Sequence, residues 1–568
     1  MQPSRTGIVW QLTAKAWNWL PAGLSFALLL YQLALPWTVP HFATQDGPSH
    51  LYSATVLWDL LLHHKTSVYS PLYTIQRSLL PNWTSTVVLA VIRSTVGAEH
   101  TEQLFVTLAF LMGFLAWCYA NRSLSPGESP WTPVANFLYQ TWFLWIGFFN
   151  FYLGMALLPL VLGFYTQKEG WLTLRRAGAL ALGLLVVFAT HMVAAAAALA
   201  AVLAVGFWVH IAIPVVTGAN PRRRWLPTAE RVRQLGLVLL AAAPTVVLMA
   251  LFAAGAETAV KPDPQIGWAW TEFPMHIFLT AGGEAKQRLL WEFLMINAVV
   301  AALLLKKREW TSAKGGLVLA ALLIFAIYLT VPDRGLGGNE AKIRFSWVFF
   351  VLAGLVACSA SRLRVLRVPV AIFFAWFVCT NSIATQRTAA AVSGLVGEYL
   401  AVAGGIAPAA SFVRLRYPVP ELPERYRYAG SGRDPVFHLD ALVAARQRSL
   451  DLSDYEALSL VFPVVYKSYI EPAQLSGLWS FEGPDPDSPN TLRWIDDSFP
   501  VPVDFVMVIG DIDAAQAVRM GMPQMIDYLA SAMRPVAASP DRLFRLYERR
   551  CTASSTDPER TAGRVCVP

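Results

Sequence analysis

The sequence predicts a polytopic α-helical membrane protein with about eleven transmembrane helices and a soluble C-terminal extracytoplasmic domain of the α/β or α+β type. Two observations lead to this fold class. Of the 568 residues, 55% are hydrophobic and only 14% are charged, whereas soluble proteins carry about 25% charged residues. The mean hydropathy is also high, at +0.45. Such a composition excludes a cytosolic enzyme, a disordered protein and a disulfide scaffold.

The charge is distributed unevenly along the chain. Residues 1–384 hold 27 Lys and Arg against 15 Asp and Glu, a net charge of +12, and residues 385–568 hold 18 against 22, a net charge of −4. Membrane proteins concentrate Lys and Arg in their cytoplasmic loops, so the overall charge of +8 does not indicate nucleic-acid binding. We predict a transmembrane domain over 1–384 and a separate domain over 385–568.

Long apolar segments mark the predicted membrane spans, because a helix needs about 20 mostly apolar residues to cross a bilayer. Basic residues lie in several of the loops between the spans, and placing those loops in the cytoplasm fixes the orientation. An odd number of spans then leaves the N-terminus cytoplasmic and the C-terminal domain extracytoplasmic. The eleven predicted spans are 19–37, 102–120, 132–149, 151–167, 174–190, 193–213, 235–254, 288–305, 315–331, 345–360 and 369–384.

The segment between the first two spans, residues 38–101, is predicted to be a long first external loop. Residues 49–64 are amphipathic, which is typical of a helix lying in the membrane interface. Residues 83–98 form a second candidate interfacial helix, and a membrane span over the same residues is the alternative.

The C-terminal domain alternates short apolar runs with turn residues. Residues 505–510 read as a buried strand ended by Gly510, and residues 542–547 alternate with the period of a partly exposed strand. Cys551 and Cys566 are candidates for a disulfide in an oxidising compartment. The alternative is two unrelated thiols near the C-terminus.

Polar residues at the rim of a membrane domain are costly and tend to be functional. The predicted topology collects several of them on the extracytoplasmic side. These candidate residues are Asp46, His50, Asn150, His191, Glu272, Arg334, Lys342 and Arg344.

Asp46 and His50 follow the first span and are four residues apart, so they can share one face of a helix. Asp46 can act as a general base toward a hydroxyl group, or the pair can bind a divalent cation such as Mg or Mn. The alternative for Asp46 is a helix N-cap, which the following Gly47 and Pro48 also favour.

Lys342 and Arg344 follow a glycine-rich loop, and two cations beside backbone donors suit a phosphate or pyrophosphate headgroup. Cations that snorkel to the membrane surface are the alternative.

His191 is either a ligand-binding residue or a histidine at a helix end, and Asn150 is either a ligand-binding residue or a turn cap. The sequence has no Walker A, dinucleotide-binding or zinc-binding motif.

The position of Asp46, early in the first external loop, resembles the GT-C superfamily of membrane glycosyltransferases. Lys342 and Arg344 correspond to a late basic site at the carrier phosphate in that family. The resemblance extends to the layout of the whole chain, including the C-terminal domain. Several relatives have two adjacent acidic residues at the first position, whereas here Gly47 follows Asp46, which leaves metal dependence open.

The resemblance implies an enzyme of a bacterial inner membrane that transfers a sugar from a polyprenyl-phosphate carrier to an acceptor hydroxyl with inversion. Asp46 would be the catalytic base, and Arg344 and Lys342 would contact the phosphate. The expected partners are the lipid-linked sugar donor, the bilayer and a glycan, lipid or protein acceptor. Two other functions compete with this one: a lipid or glycan flippase or transporter, and a non-catalytic membrane scaffold.

Overall fold

The structure is a computed structural model of the full chain. It describes residues 5–76, 81–126, 132–213, 229–255, 284–331, 340–416, 426, 434–458, 461–467, 500–510 and 523–550.

Most of the described chain is helical. The helices are α1 (Arg5–Ala34), α2 (Gly47–His63), α3 (Trp83–Val96), α4 (Thr101–Leu124), α5 (Thr132–Tyr139), α6 (Trp142–Ile146), α7 (Phe149–Thr166), α8 (Leu174–Thr190), α9 (Met192–Phe207), α10 (Ala229–Gly255), α11 (Glu284–Leu303), α12 (Lys307–Trp310), α13 (Ala313–Thr330), α14 (Ala341–Ser359), α15 (Arg367–Ala403), α16 (Leu439–Gln447) and α17 (Pro523–Ala532).

The predicted class, a polytopic helical membrane protein, is confirmed. Within the described residues, eight helices are long and apolar enough to cross a membrane: α1, α4, α7, α9, α10, α13, α14 and α15. Helix α8 has 17 residues, and the apolar part of α11 covers only Leu294–Leu303. The count of eleven therefore stays a prediction.

The predicted continuous span over 132–149 is wrong, because the chain forms the two short helices α5 and α6 there. Thr141 has an extended backbone between them, and Gly147 ends α6 with a left-handed φ of +86°. The buried side-chain amide of Gln140 donates to Ser382 Oγ at 2.9 Å. These residues stand singly among apolar neighbours, so a hydropathy average cannot detect the break.

The segment between α1 and α4 contains both helices expected from the sequence. Helix α3 has 14 residues, fewer than the roughly 17–25 residues of a spanning helix, so the described helix does not support the alternative of a span over 83–98. Helix α2 is buried along most of its length, and Leu61 and Leu62 near its end are exposed. Its predicted position in the membrane interface stays a prediction.

The described C-terminal residues form a mixed sheet, which agrees with the predicted α/β or α+β class. Strand β5 is buried at all five positions, and it pairs in parallel with β2 and antiparallel with β7. The sheet order is β3-β2-β5-β7-β6, and a separate pair joins β1 and β4. The strands are β1 (Tyr73–Ile75), β2 (Ser411–Arg416), β3 (Leu450–Asp451), β4 (Val464–Tyr466), β5 (Phe505–Ile509), β6 (Met533–Ala538) and β7 (Phe544–Arg549).

The chain divides into two compact units. The first comprises Met1–Thr44, Arg77–Val88 and Gln103–Ala389, and the second comprises Gln45–Gln76, Leu89–Glu102 and Ala390–Pro568. Most of the first external loop thus packs with the C-terminal segment as one body. The predicted boundary after residue 384 concerns membrane and aqueous segments, which this division does not test, and it stays a prediction.

Candidate functional site

The described candidate residues form two groups, one in each compact unit. His191, Arg344, Lys342 and Asn150 belong to the first unit, and Asp46 and His50 belong to the second. We call the first the cationic group and the second the acidic group.

The cationic group depends on a break between two helices. His191 lies between α8 and α9 with an extended backbone (φ −164°, ψ 134°) and caps α9, because its Nδ1 accepts from the backbone N–H of Val193 at 3.1 Å. Arg344 lies in the first two turns of α14 and brings its Nη1 to 3.5 Å from His191 Nε2. Two residues that the sequence analysis selected separately are thus in contact.

Aromatic rings hold the Arg344 guanidinium in place. It lies over Phe148, 4.8 Å from the ring centroid, and also near Phe151, at 5.5 Å. Phe151 meets the His191 ring edge-on at 5.1 Å. Such cation–π contacts fix the orientation of a guanidinium without neutralising its charge.

The hydrogen bonds of His191 determine where its proton lies. Burial and the neighbouring Arg344 guanidinium lower the pKa of His191 well below its usual value, so the ring is neutral near pH 7. A neutral ring accepts at only one nitrogen, and the shorter contact is the one from the Val193 N–H to Nδ1, at 3.1 Å against 3.5 Å for Arg344 Nη1 to Nε2. We therefore assign the proton to Nε2, which makes the contact with Arg344 an approach of two donors rather than a hydrogen bond. Two donors, Nε2–H and the guanidinium, therefore face each other, and an anionic oxygen between them would accept from both.

Helix α14 adds positive potential to the same place. The helix begins after Glu340, which has a left-handed φ of +63° and provides no side-chain cap. Lys342 and Arg344 lie within its first turns. A helix N-terminus carries a partial positive charge, which adds to the positive potential of these two cations.

Asn150 is already engaged within the protein. Its side-chain oxygen accepts from the Ser85 backbone N–H at 3.1 Å and from the Ser85 hydroxyl at 2.6 Å. Ser85 lies in the first turn of α3, so this buried amide ties α7 to the start of α3. The alternative role for Asn150 was a turn cap. Its side chain caps a backbone N–H in α3 rather than one in its own turn. A substrate contact by Asn150 stays a prediction.

Asp46 lies at the N-cap position of α2, but its side chain makes no capping hydrogen bond. Instead, its Oδ1 accepts from Gln45 Nε2 at 3.0 Å. The side chain is 11% exposed, and His438 Nε2 lies 3.8 Å from Oδ1. The carboxylate is therefore mostly desolvated while keeping a small accessible surface, as a general base requires.

His50 pairs with Glu456, with Nδ1 at 2.5 Å from the carboxylate oxygen, and both side chains are buried. Burial lowers the pKa of His50, but Glu456, Asp46 and Glu102 together raise it above its usual value. The acidic neighbours therefore favour the protonated, cationic form of His50. The predicted role of His50 in substrate binding stays a prediction.

Four further buried carboxylates of the same unit complete the acidic group: Asp440, Asp451, Asp454 and Glu456. Asp440 lies 3.5 Å from the Arg414 guanidinium, and both side chains are only 1% exposed. Burial raises the pKa of Asp451 and of Asp454 well above the usual value, and each is raised further by a neighbouring carboxylate. The acidic group therefore holds protons that free carboxylates would release.

Sequence reasoning missed His438 and Glu456. One signal was available, since Asp451, Asp454 and Glu456 place three carboxylates within six residues. The nearness of this segment to Asp46 depends on packing between segments almost 400 residues apart in the chain, which no local pattern reports.

Four predicted residues lie outside the described residues: Glu272, Arg334, Cys551 and Cys566. Their substrate contacts and the disulfide stay predictions.

In the part of the chain that the structure describes, no three His, Cys, Asp or Glu side chains are grouped so that they could hold a metal ion. The role of Mg or Mn also stays a prediction.

Comparison with solved structures finds similarity to ArnT from Cupriavidus metallidurans, both bound to undecaprenyl phosphate and in the apo state. The identities are 12% and 11% and the TM-scores are 0.42 and 0.44, over 95% and 94% of this chain and 99% and 98% of the others. No protein-family model matches the chain, and no curated protein matches it. The function of this protein is therefore inferred from its own residues.

Proposed function

We propose that this protein is a membrane glycosyltransferase that moves a sugar from a polyprenyl-phosphate carrier to an acceptor hydroxyl with inversion. The reaction takes place on the extracytoplasmic face of a bacterial inner membrane, with the N-terminus in the cytoplasm. The observation that carries the proposal is the pair of facing donors, Arg344 and His191, at the start of α14. This pair suits a phosphate at the membrane rim.

The cationic group supplies charge where the reaction needs it. As the bond between the anomeric carbon and the phosphate oxygen breaks, negative charge grows on the leaving polyprenyl phosphate. Fixed donors aimed at developing charge lower the barrier more than they lower the energy of the bound substrate. Arg344 and the Nε2–H of His191 perform this role, and Lys342 contributes positive potential.

The acidic group supplies the base. Asp46 takes the proton of the acceptor hydroxyl, whose oxygen attacks the anomeric carbon on the side opposite the phosphate. One carboxylate is enough because the phosphate leaves without being protonated, in contrast to glycosidases, which generally use two carboxylates. The products are an inverted glycoside and the polyprenyl phosphate.

Purified protein in lipid nanodiscs, supplied with a panel of polyprenyl-phosphate sugars and a membrane extract as acceptor, tests the proposal. We expect release of polyprenyl phosphate from one donor by the wild type and not by Asp46→Asn. Movement of the donor across a proteoliposome bilayer without its consumption would identify a flippase. Neither consumption nor movement with any donor would support a scaffold.

A further inference from the structure

His438 occupies a buried position beside Asp46 that no part of the proposed mechanism has used. It precedes α16 and makes no side-chain cap. Its side chain is 4% exposed, and Nε2 lies 3.8 Å from Asp46 Oδ1. Among the described residues, Nε2 has no hydrogen-bond partner, which is unusual for a buried polar atom.

Two aromatic side chains hold the His438 ring. Tyr455 stacks on it, with ring centroids 4.5 Å apart and an interplanar angle of 21°. Phe437 lies against it with a centroid separation of 4.1 Å. A ring packed on two sides cannot turn toward solvent, so Nε2 is kept facing the Asp46 carboxylate.

The surrounding charges keep His438 neutral. Burial, the Arg414 guanidinium and His50 all lower the pKa of His438 well below its usual value. Arg414 also lies over Phe437, 5.3 Å from the ring centroid. Several carboxylates of this unit face these cations: Asp440 and Asp451 face Arg414, and Glu456, Asp46 and Glu102 face His50. A neutral imidazole offers one N–H and carries no charge into the site.

We propose that His438 is a positioning residue for Asp46, whose Nε2–H donates to the carboxylate when the acceptor is bound. The proposal rests on the proposed function, in which Asp46 is the base. A separation of 3.8 Å is too long for a hydrogen bond, but hydrogen bonds of catalytic groups often tighten only in the substrate complex. The donated bond stabilises the ionised carboxylate and fixes its orientation toward the acceptor hydroxyl.

The hydrogen bond from His438 affects the protonation of Asp46, because other carboxylates lie in the same group. Glu456 and Glu102 both act electrostatically on His50, as Asp46 itself does, so Asp46 shares its cationic neighbour with two other carboxylates. A like charge disfavours a carboxylate anion, and a hydrogen-bond donor favours it. Without the donor from His438, Asp46 would bind its proton more tightly and would be inactive over a wider pH range.

Two variants of His438 separate the hydrogen bond from the packing. The amide nitrogen of Gln reaches the position of Nε2, whereas that of Asn reaches only the position of Nδ1. We expect His438→Gln to keep kcat within a few-fold of the wild type and His438→Asn to lose about 10- to 100-fold, as for a lost hydrogen bond to a charged group. In His438→Asn the acid limb of the kcat/KM profile should move to higher pH by about one unit, while KM for the lipid donor changes little.

His63→Gln is the matched control, because His63 lies 3.1 Å from Asp59 in another His–Asp pair at the far end of α2. It should leave both kcat and the pH profile unchanged. Equal losses in the Gln and Asn variants, or an acid limb that stays in place in His438→Asn, would overturn the proposal. Full transfer by Asp46→Asn would instead refute the base assignment, so the two failures are distinguishable.

Discussion

The cationic and acidic groups differ in how the protein tolerates their charge. Around Arg344, positive charge is concentrated at a helix N-terminus, and aromatic rings hold it without neutralising it. In the acidic group, several carboxylates are buried together. Their negative charge is offset by His50 and Arg414, and a raised pKa favours the protonated form of Asp454. The described contacts therefore differ in kind, with aromatic rings against the guanidinium in the first group and buried counter-ions beside the carboxylates in the second.

Asp46→Asn is expected to have the largest effect on activity, because it removes the one acidic side chain to which we assign a catalytic role. We expect a loss of about 100- to 10,000-fold in kcat, the usual contribution of general base catalysis, with binding of polyprenyl phosphate unchanged. Transfer rates in nanodiscs measure the loss. Asp527→Asn, a change at an exposed residue of the same unit, is the control and should be as active as the wild type. Transfer by Asp46→Asn at the wild-type rate would show that the base is another residue.

Arg344→Gln tests whether the cationic group binds the phosphate. We expect the affinity for polyprenyl phosphate to fall about 10- to 100-fold, because a charge-assisted hydrogen bond is lost, and Arg344→Lys to fall less. Binding to polyprenyl alcohol should not change. Arg308→Gln at an exposed position serves as the control. An unchanged affinity in Arg344→Gln would place the phosphate elsewhere.

Asn150→Ala distinguishes a structural role from a ligand contact. It leaves the buried Ser85 hydroxyl and backbone N–H without their acceptor, which should cost about 1–3 kcal/mol of stability. Thermal unfolding in detergent should therefore occur at a lower temperature, with unchanged affinity for polyprenyl phosphate. Weaker lipid binding at an unchanged unfolding temperature would instead support the substrate contact.

The smallest effect concerns the retained protons of the acidic group. Since the pKa of Asp454 is raised in the folded state, the unfolded chain releases its proton at lower pH, and stability falls as the pH rises from about 4 through the raised folded pKa. Asp454→Asn keeps the acceptor for the Glu456 N–H and removes the ionisable group. At pH 8 it should slow hydrogen exchange over residues 450–466, and the difference from the wild type should vanish near pH 4. Faster exchange at pH 8 would contradict the retained proton.

Features of the fold that depend on neighbouring residues in the sequence can be predicted from it, whereas contacts between residues far apart in the chain cannot. Runs of apolar residues predict the long helices, because a bilayer selects for length and composition. The break at Gln140 and Thr141 escapes such averaging, and the hydrogen bond from Gln140 to Ser382 joins residues far apart in the chain. In the same way, Asp46 could be selected by its place after the first span, whereas His438 and Glu456 become neighbours of Asp46 and His50 only through folding.

The anomeric configuration of the product tests the central claim most directly. The wild-type protein in nanodiscs is given the polyprenyl-phosphate sugar that it consumes, and the anomeric configuration of the glycoside is determined by proton NMR. We predict a single glycoside of inverted configuration, since one carboxylate activates the acceptor for direct displacement of the phosphate. A product of retained configuration, or no glycoside from any polyprenyl-phosphate sugar, would contradict the account.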